Sequence, residues 1–227
     1  MTAQGSLVIE RLRELPGGPE LLDVARERGG VELVGGAVRD ILLGRVPREL
    51  DTLVQSDVQA VVHALVERLD GEATVHERFG TALISSPVAQ IDLVRARVES
   101  YPAPGALPEV RGGTLDEDLA RRDFTVNAIA VALDGAMAGE MRAAANALED
   151  LQARRLRVLH DDSFIDDPTR LLRLARYAAR LGFEIEQGTR ELVARAIDTG
   201  ALATVSGGRI GAELRLALAE ADPIAAI

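Results

Sequence analysis

Residues 31–54 read VELVGGAVRDILLGRVPRELDTLV, and strand-like and helix-like patterns alternate along this stretch. Its first four residues form an apolar strand pattern, which Gly35 and Gly36 follow directly. Residues 37–44 then fit a helix that ends at a glycine, and residues 51–54 fit a second strand. A strand, a glycine turn, a helix and another strand indicate a mixed α/β domain.

The glycine pair lies where a strand is expected to meet the first turn of a helix. Glycines at such a place let a phosphate approach the backbone, and the N–H groups of the helix N-terminus attract anions. Arg39 lies on the first turn of this helix, from which its side chain is expected to reach the same phosphates. The pattern therefore predicts that Gly35, Gly36 and Arg39 bind the phosphates of a nucleotide.

Two acidic residues, Glu49 and Asp51, flank Leu50 at the beginning of the second strand. Because alternate residues of a strand point to one side, the two carboxylates are expected to lie side by side. Paired carboxylates near a phosphate cradle suit Mg²⁺ that is bound jointly by protein and nucleotide. Either feature alone has an ordinary explanation, since glycine turns are common and alternating acids often mark a solvated strand. Their combination favours a nucleotide site with magnesium.

Two further segments combine arginine with acidic residues. Residues 121–128 read RRDFTVNA, whose guanidinium groups suit triphosphate oxygens and whose aspartate can accept a hydrogen bond from a ribose hydroxyl. Residues 166–173 read DDPTRLLR, in which Asp166 is expected to cap a helix. Asp167 and Arg170 then lie three residues apart on one helical face. Composition alone explains these segments as a surface charge cluster and an ion pair.

These segments together resemble one family. GGAVRDILLG with the following acid–x–acid pair is similar to the first motif of class II tRNA nucleotidyltransferases and bacterial poly(A) polymerases. EDLARRDFTVNAIA, at residues 117–130, resembles a second signature of that family. The resemblance covers about residues 30–218. It departs from the family at Glu49, where Asp is usual, and in residues 135–160, which lack an expected Asp-Pro and Gly-Gly.

The resemblance implies an architecture for the chain. It implies an α/β head, a mixed-sheet nucleotidyltransferase domain of the DNA polymerase beta-like kind, over residues 1–160. An all-α neck domain that recognises the nucleobase is expected over residues 161–227. Family members usually continue into helical domains that hold tRNA, and such C-terminal domains are absent from these 227 residues.

The resemblance also implies residue roles. The catalytic carboxylates would be Glu49, Asp51 and Asp92, and the first two would ligate Mg²⁺. Asp123 would contact the ribose and Arg122 the triphosphate. Asp167 and Arg170 would offer hydrogen bonds to the base edge, so that the enzyme selects C or A without a nucleic-acid template. The expected nucleotide-binding residues are Gly35, Gly36, Arg39, Arg121, Arg122, Asp123, Asn127, Asp167 and Arg170.

The implied function is addition of C, A or both to the 3′ end of tRNA. The RNA 3′-hydroxyl would attack the α-phosphate of CTP or ATP and release pyrophosphate. A poly(A) polymerase of the same family is an alternative. A weakly active fragment that binds nucleotide or RNA is another, suggested by Glu49. The order of nucleotide addition and the oligomeric state stay open.

Composition restricts the class of protein. The chain has no cysteine, which excludes disulfides and cysteine-ligated zinc. No apolar run approaches the ~20 residues of a membrane span, so a cytoplasmic protein without membrane contact is expected. The net charge of -10 argues against broad RNA binding, but arginines concentrate at 95–122 and 170–180. These segments are expected to form basic strips for a partner.

Periodicity extends the secondary-structure prediction to the rest of the chain. Residues 98–116 are rich in Pro and Gly and are expected to form a loop. Helices are expected at 16–28, 57–69, 142–153, 167–181, 189–198 and 207–221, with residues 117–132 beginning as a helix and ending as a strand, and strands at 73–77, 81–86, 89–96 and 155–159. Everything after His160 is expected to be helical.

Overall fold

The computed structural model describes residues 2–76 and 80–226, which form two compact units. The first unit consists of Met1–Val98, Arg111–Ala120 and Asn127–Ala144, and the second of Glu99–Val110, Arg121–Val126 and Ala145–Ile227. The expected boundary near residue 160 therefore lies within the second unit. Segment Arg121–Val126 belongs there because Asp123 pairs with Arg173 and Phe124 packs edge-on against Tyr177.

The described residues form helices and strands in alternation over the first part of the chain. The helices are α1 (Ala3–Glu14), α2 (Gly18–Arg28), α3 (Gly35–Leu42), α4 (Val58–Leu69), α5 (Leu115–Ala120), α6 (Ala147–Gln152), α7 (Ser163–Asp166), α8 (Thr169–Leu181), α9 (Gln187–Asp198) and α10 (Gly207–Leu218). The strands are β1 (Val31–Val34), β2 (Leu50–Val54), β3 (Glu72–His76), β4 (Thr81–Ser85), β5 (Gln90–Arg95), β6 (Arg97–Ser100), β7 (Glu109–Gly112), β8 (Ile129–Ala132), β9 (Met141–Ala143), β10 (Arg155–Leu156) and β11 (Glu184–Ile185).

The first unit is built on a seven-stranded sheet in the order β3-β4-β5-β2-β1-β8-β9. Strands β2 and β5 run parallel, whereas the other neighbouring strands run antiparallel. The expected mixed sheet is therefore confirmed. Helix α4 has the expected apolar face, on which Val61 and Leu65 are fully buried. Asp57 caps the N-terminus of this helix, because its carboxylate accepts hydrogen bonds from the backbone N–H groups of Gln59 and Ala60.

Pairing between β2 and β5 decides which side chains share a face of the sheet. Thr52 lies opposite Leu93 in this register, and both are buried. Asp51 lies directly opposite Asp92. Because successive side chains of a strand alternate, the two aspartates lie on the face opposite that of the buried pair.

The second unit is mainly helical, with a short parallel pair of strands, β10 and β11. Helix α8 packs against α10, and α7 against α8 and α9. Of the four α8 residues expected in the core, Leu174 and Leu181 are buried, whereas Leu171 and Ala178 are half-buried. No helix among residues 2–76 and 80–226 is long and apolar enough to cross a membrane.

Several elements differ from the sequence-based expectations. Helix α1 was not predicted. The expected loop 98–116 contains most of β6 and all of β7, which pair with each other. The expected helix 142–153 begins as strand β9, because these residues pair with β8 at the sheet edge. Strand β11 interrupts the expected all-helical part. The last residue of the expected strand 73–77 lies outside the described residues.

Asp166 does not cap the helix that follows it, contrary to expectation. It ends helix α7, and the neighbouring Asp167 accepts hydrogen bonds from the backbone N–H and the hydroxyl of Thr169 at 3.1 and 2.6 Å. The capping carboxylate is therefore one residue further along the chain. The cause is the short helix α7, which ends at Asp166, so that Asp167 is the carboxylate next to the first turn of α8.

Glu32 is a buried acid in the centre of the sheet, where β1 is covered on both faces. It is 9% exposed, and Gln55 donates a hydrogen bond to its carboxylate at 3.2 Å. Burial is the main cause that raises the pKa of Glu32 to about 7; the charge of Asp134 adds to the effect and Arg142 opposes it. The native protein thus keeps a proton that the unfolded chain, with a glutamate pKa of about 4.3, has already released.

This proton predicts a pH dependence of stability. Because the native state binds more protons, the free energy of unfolding falls as pH rises from about 4.3 to about 7. We expect Glu32→Gln to match the wild type at about pH 4 and to be more stable by roughly 2 kcal/mol at about pH 8. Urea unfolding followed by circular dichroism measures both values. The exposed Glu72→Gln is the control, and equal stability of wild type and Glu32→Gln at about pH 8 would contradict the prediction.

Candidate active site

Two carboxylates are placed together by the sheet of the first unit. Asp51 and Asp92 are direct register partners on adjacent parallel strands, which lie about 4.8 Å apart in a sheet. The hydroxyl of Thr52 donates a hydrogen bond to the Asp92 carbonyl at 2.8 Å and fixes this register. Burial raises the pKa of the Asp92 carboxyl, and the negative charge of Glu49 raises it further, while Arg97 lowers it. The charge of Glu49 therefore acts on the Asp92 carboxyl.

The donor set determines which ion fits. Glu49 lies in a bend just before β2 and is exposed, whereas Asp51 and Asp92 are half-buried on the sheet. Among the residues that the structure describes, no group of three or more His, Cys, Asp or Glu side chains is arranged to hold a metal by itself. Mg²⁺ typically takes one or two carboxylates and completes its shell with phosphates and water. Two paired aspartates fit a hard divalent ion of this kind.

The glycine pair lies next to these carboxylates. Gly35 begins α3 with a φ of 65°, a backbone conformation that residues other than glycine rarely adopt. A Cβ atom on Gly36 would lie 3.2 Å from Asp51 Oδ2 and 3.6 Å from Arg39 Nη2. Glycine thus keeps open the space beside both groups, as the expected phosphate cradle requires.

Arg39 and Asn127, two of the expected nucleotide-binding residues, contact each other. The Arg39 guanidinium donates a hydrogen bond to the Asn127 side-chain oxygen and another to Asp40 at 2.8 Å. Arg39 is 2% exposed, and Asn127 ends a short 3₁₀ turn, Thr125–Asn127. These contacts fix the direction of the guanidinium; its contact with phosphate stays a prediction.

The second unit positions the expected base-reading residues. Asp167 Oδ1 accepts hydrogen bonds from Thr169 and, at 2.8 Å, from Arg209 Nη2. Arg170 donates to Ser163 Oγ at 2.6 Å and to the Arg121 carbonyl at 2.8 Å. Asp167 is held by Arg209, and Arg170 by Ser163 and Arg121. An ion pair between Asp167 and Arg170 therefore does not explain their positions.

The arginine-rich motif 121–128 is held by acidic and basic partners distant in sequence. Asp123 Oδ2 accepts hydrogen bonds from Arg173 Nε and Nη2 at 3.0 and 2.6 Å. Arg121 Nη1 donates to Glu99 at 2.9 Å, and Arg122 is half-buried. Sequence reasoning did not identify Glu99, which lies in no motif. Arg209 lies in residues 205–214, VSGGRIGAEL, within the part of the chain that the family resemblance covers.

The expected basic strip on α8 is largely neutralised within the second unit. Arg173, Arg176 and Arg180 surround the Tyr177 ring, with guanidinium carbons 5.0 to 5.6 Å from its centre. The carboxylates paired with these arginines are those of Asp123, Glu213 and Glu220. The prediction of a basic surface for a partner is therefore wrong for this helix, because its arginines face acidic groups of the same unit.

Known proteins resemble most of the chain. A model of the poly(A) polymerase head domain matches residues 31–157. The chain is 41% identical to the A-adding tRNA nucleotidyltransferase of Halalkalibacterium halodurans over 203 residues, which are 88% of this chain and 48% of that protein. It is 44% identical to the CC-adding tRNA nucleotidyltransferase of Deinococcus radiodurans over 207 residues, 89% of this chain and 54% of that protein.

Solved structures agree with these sequence similarities. The apo structure of a CCA-adding enzyme superposes with a TM-score of 0.82 at 33% identity, covering 96% of this chain and 51% of that one. The chain spans about half the length of these two relatives and less than a quarter of the A-adding enzymes of Geobacter sulfurreducens and Aquifex aeolicus. Nucleotidyltransferases of this kind generally use divalent metal ions. Since the family model matches more than half of its residues, the chain belongs to the poly(A) polymerase head-domain family, which includes the class II tRNA nucleotidyltransferases.

Proposed function

We propose that the chain is the catalytic part of a tRNA nucleotidyltransferase that adds C, A or both to the tRNA 3′ end. CTP and ATP would be the nucleotide substrates and pyrophosphate the second product. The observation that carries the proposal is the pairing of Asp51 with Asp92 beside Gly36. The names of the A-adding and CC-adding relatives support the choice of substrate. The first unit would serve as the catalytic head and the second as the base-selecting neck.

The carboxylates of the first unit would hold Mg²⁺. Asp51 and Asp92 would provide the main ligands, and Glu49 would contribute from the bend before β2. When bound, the ion supplies activation of the 3′-hydroxyl and neutralisation of charge on the leaving pyrophosphate. The chain contributes by orientation: Gly36 leaves room for a phosphate beside Asp51, and Asn127 holds the Arg39 guanidinium in place.

Residues of the second unit would select the base. A carboxylate accepts a hydrogen bond from the exocyclic amine of C or A, and it repels the carbonyl oxygen of U or G at the same place. Asp167 would make this distinction, and Arg170 would donate to a ring nitrogen or carbonyl. Arg121 and Arg122 would contact the triphosphate, and Asp123 the ribose.

Nucleotide incorporation tests the proposal. The chain would be supplied with Mg²⁺, CTP and ATP and with three RNAs: a tRNA lacking CCA, a tRNA ending in CC, and an RNA of unrelated shape. Incorporation limited to the tRNAs is the expected result, and the added bases define the enzyme as CC-adding, A-adding or CCA-adding. Long A-tails on all three RNAs would favour a poly(A) polymerase instead. Nucleotide binding without incorporation would overturn the catalytic assignment of this chain.

The phosphate cradle makes a separate prediction. Gly36→Ala places a methyl group 3.2 Å from Asp51 Oδ2, in the space assigned to a phosphate. We expect the affinity for CTP and ATP to fall about tenfold, with the fold unchanged. Gly112→Ala is the matched control, because a methyl group there meets no atom within 4 Å. Titration calorimetry measures both, and equal affinities of Gly36→Ala and wild type would argue against the cradle.

A further inference from the structure

We propose that Arg209 determines base discrimination as a positioning residue, by holding the Asp167 carboxylate in one orientation. The inference rests on the proposed function and deepens it. Arg209 lies in the first turn of α10 and donates through Nη2 to Asp167 Oδ1 at 2.8 Å. Through Nη1 it donates to the Gly105 carbonyl at 2.9 Å. One guanidinium therefore links the base-reading acid to a second, distant segment.

Three hydrogen bonds from the described residues reach the side chain of Asp167, and one carboxylate oxygen, Oδ1, accepts them. Oδ1 accepts from the Thr169 N–H, the Thr169 hydroxyl and Arg209, whereas Oδ2 takes part in none of these three contacts. Because its donors come from two different helices, α8 and α10, Oδ1 is held from both and the rotation of the carboxylate plane is restricted. Oδ2 is then the oxygen that can accept from the exocyclic amine of a base. Thr169 alone leaves this rotation less restricted, because both of its donors approach from the helix.

The other anchor of Arg209 is rigid. The Gly105 N–H points at the carbonyls of Ile165 and Asp166, each at 3.3 Å. Gly105 has a φ of 69°, and a Cβ atom on it would lie 2.1 Å from Thr204 Oγ1. The backbone at Gly105 is thus enclosed on two sides. A planar guanidinium that bridges two fixed acceptors cannot rotate without losing one of them.

The ratio of the affinities for CTP and UTP reports the orientation of the Asp167 carboxylate. The two bases differ at position 4, where C carries an amine donor and U a carbonyl acceptor. A correctly turned carboxylate oxygen favours the donor, and one that rotates out of line favours neither base. Binding of inorganic triphosphate does not involve the base and therefore reports general damage to the site.

The test compares affinities of the 227-residue chain for CTP, UTP and inorganic triphosphate. We expect Arg209→Ala to lower the preference for CTP over UTP by roughly tenfold to a hundredfold, the range for a hydrogen bond to a charged group. Its affinity for inorganic triphosphate should match the wild type. Arg209→Lys keeps the charge but can reach only one of the two acceptors, so an intermediate preference is expected. Arg215→Ala, exposed on the same helix, is the control and should retain the full preference.

A double variant tests whether Arg209 acts through Asp167. In the Asp167→Asn background, Arg209→Ala should cause no further loss of preference, because the two side chains share one effect. An unchanged CTP preference in Arg209→Ala or Arg209→Lys would overturn the inference, as would an additive loss in the double variant. An equal loss of triphosphate affinity would also overturn it, since it indicates a purely structural role. A wild type that shows no preference for CTP or ATP would instead overturn the proposed function.

Discussion

Asp51→Asn is expected to lower nucleotide incorporation by roughly 10³-fold, the effect of removing one preorganised charge from a phosphoryl-transfer site. The amide has the volume of the carboxylate, but it is neutral and is a poor ligand for Mg²⁺. Asp92, its register partner, would then be the main carboxylate left on that face of the sheet. The loss corresponds to about 4 kcal/mol of transition-state stabilisation.

A matched aspartate separates this effect from a general change of charge. Asp116 lies in the same unit, its side chain is 76% exposed, and its ion pair with Arg142 spans 3.6 Å. Asp116→Asn should leave incorporation unchanged, since exposed pairs contribute little. Thermal unfolding of both variants checks that the fold is intact. If Asp51→Asn retained more than a tenth of the wild-type rate, Asp51 would not be a metal ligand.

Local sequence patterns predicted the first part of this site. Strand β1, the glycine pair and helix α3 follow one another without interruption, so short-range signals are sufficient there. Asp51 was found in the same way. The position of Asp92 opposite Asp51 depends on parallel pairing of β2 with β5, about 40 residues apart in sequence. Strand alternation indicated only that Asp92 faces away from its apolar neighbours, and its assignment came from the family resemblance.

The ion pairs of α8 and the contacts of Arg209 could not be predicted from the sequence, because they join segments that are distant in the chain. The arginines of α8 were expected to bind another molecule because the carboxylates that pair with them are distant in sequence. Asp123 lies 50 residues before Arg173, and Glu213 lies 40 residues after it. The bond from Arg209 to Gly105 spans 104 residues. No periodicity or capping rule connects such positions. They meet only when the second unit is folded.

The second large effect is expected on stability. Arg173→Met should lower the free energy of unfolding by about 3 kcal/mol, because it removes the charged partner of a buried carboxylate. Arg173 gives two hydrogen bonds to Asp123 Oδ2, at 3.0 and 2.6 Å, and Asp123 is 8% exposed. Burial lowers the pKa of Arg173, but the charge and hydrogen bonds of Asp123, together with the charges of Tyr177 and Glu213, raise the pKa above its ordinary value. Methionine fills much of the same volume, so a cavity contributes little.

Tyrosine fluorescence in urea measures this loss in the second unit. The chain has no tryptophan, and both of its tyrosines, Tyr101 and Tyr177, belong to that unit. Arg195→Ala is the control: its side chain is 50% exposed and lies 3.8 Å from Asp162, so it should cost less than about 1 kcal/mol. Adding Asp123→Asn to Arg173→Met should recover part of the loss, because it removes the buried carboxylate charge that Arg173 no longer balances. Equal destabilisation by Arg173→Met and the control would show that the buried pair contributes no more to folding than an exposed one.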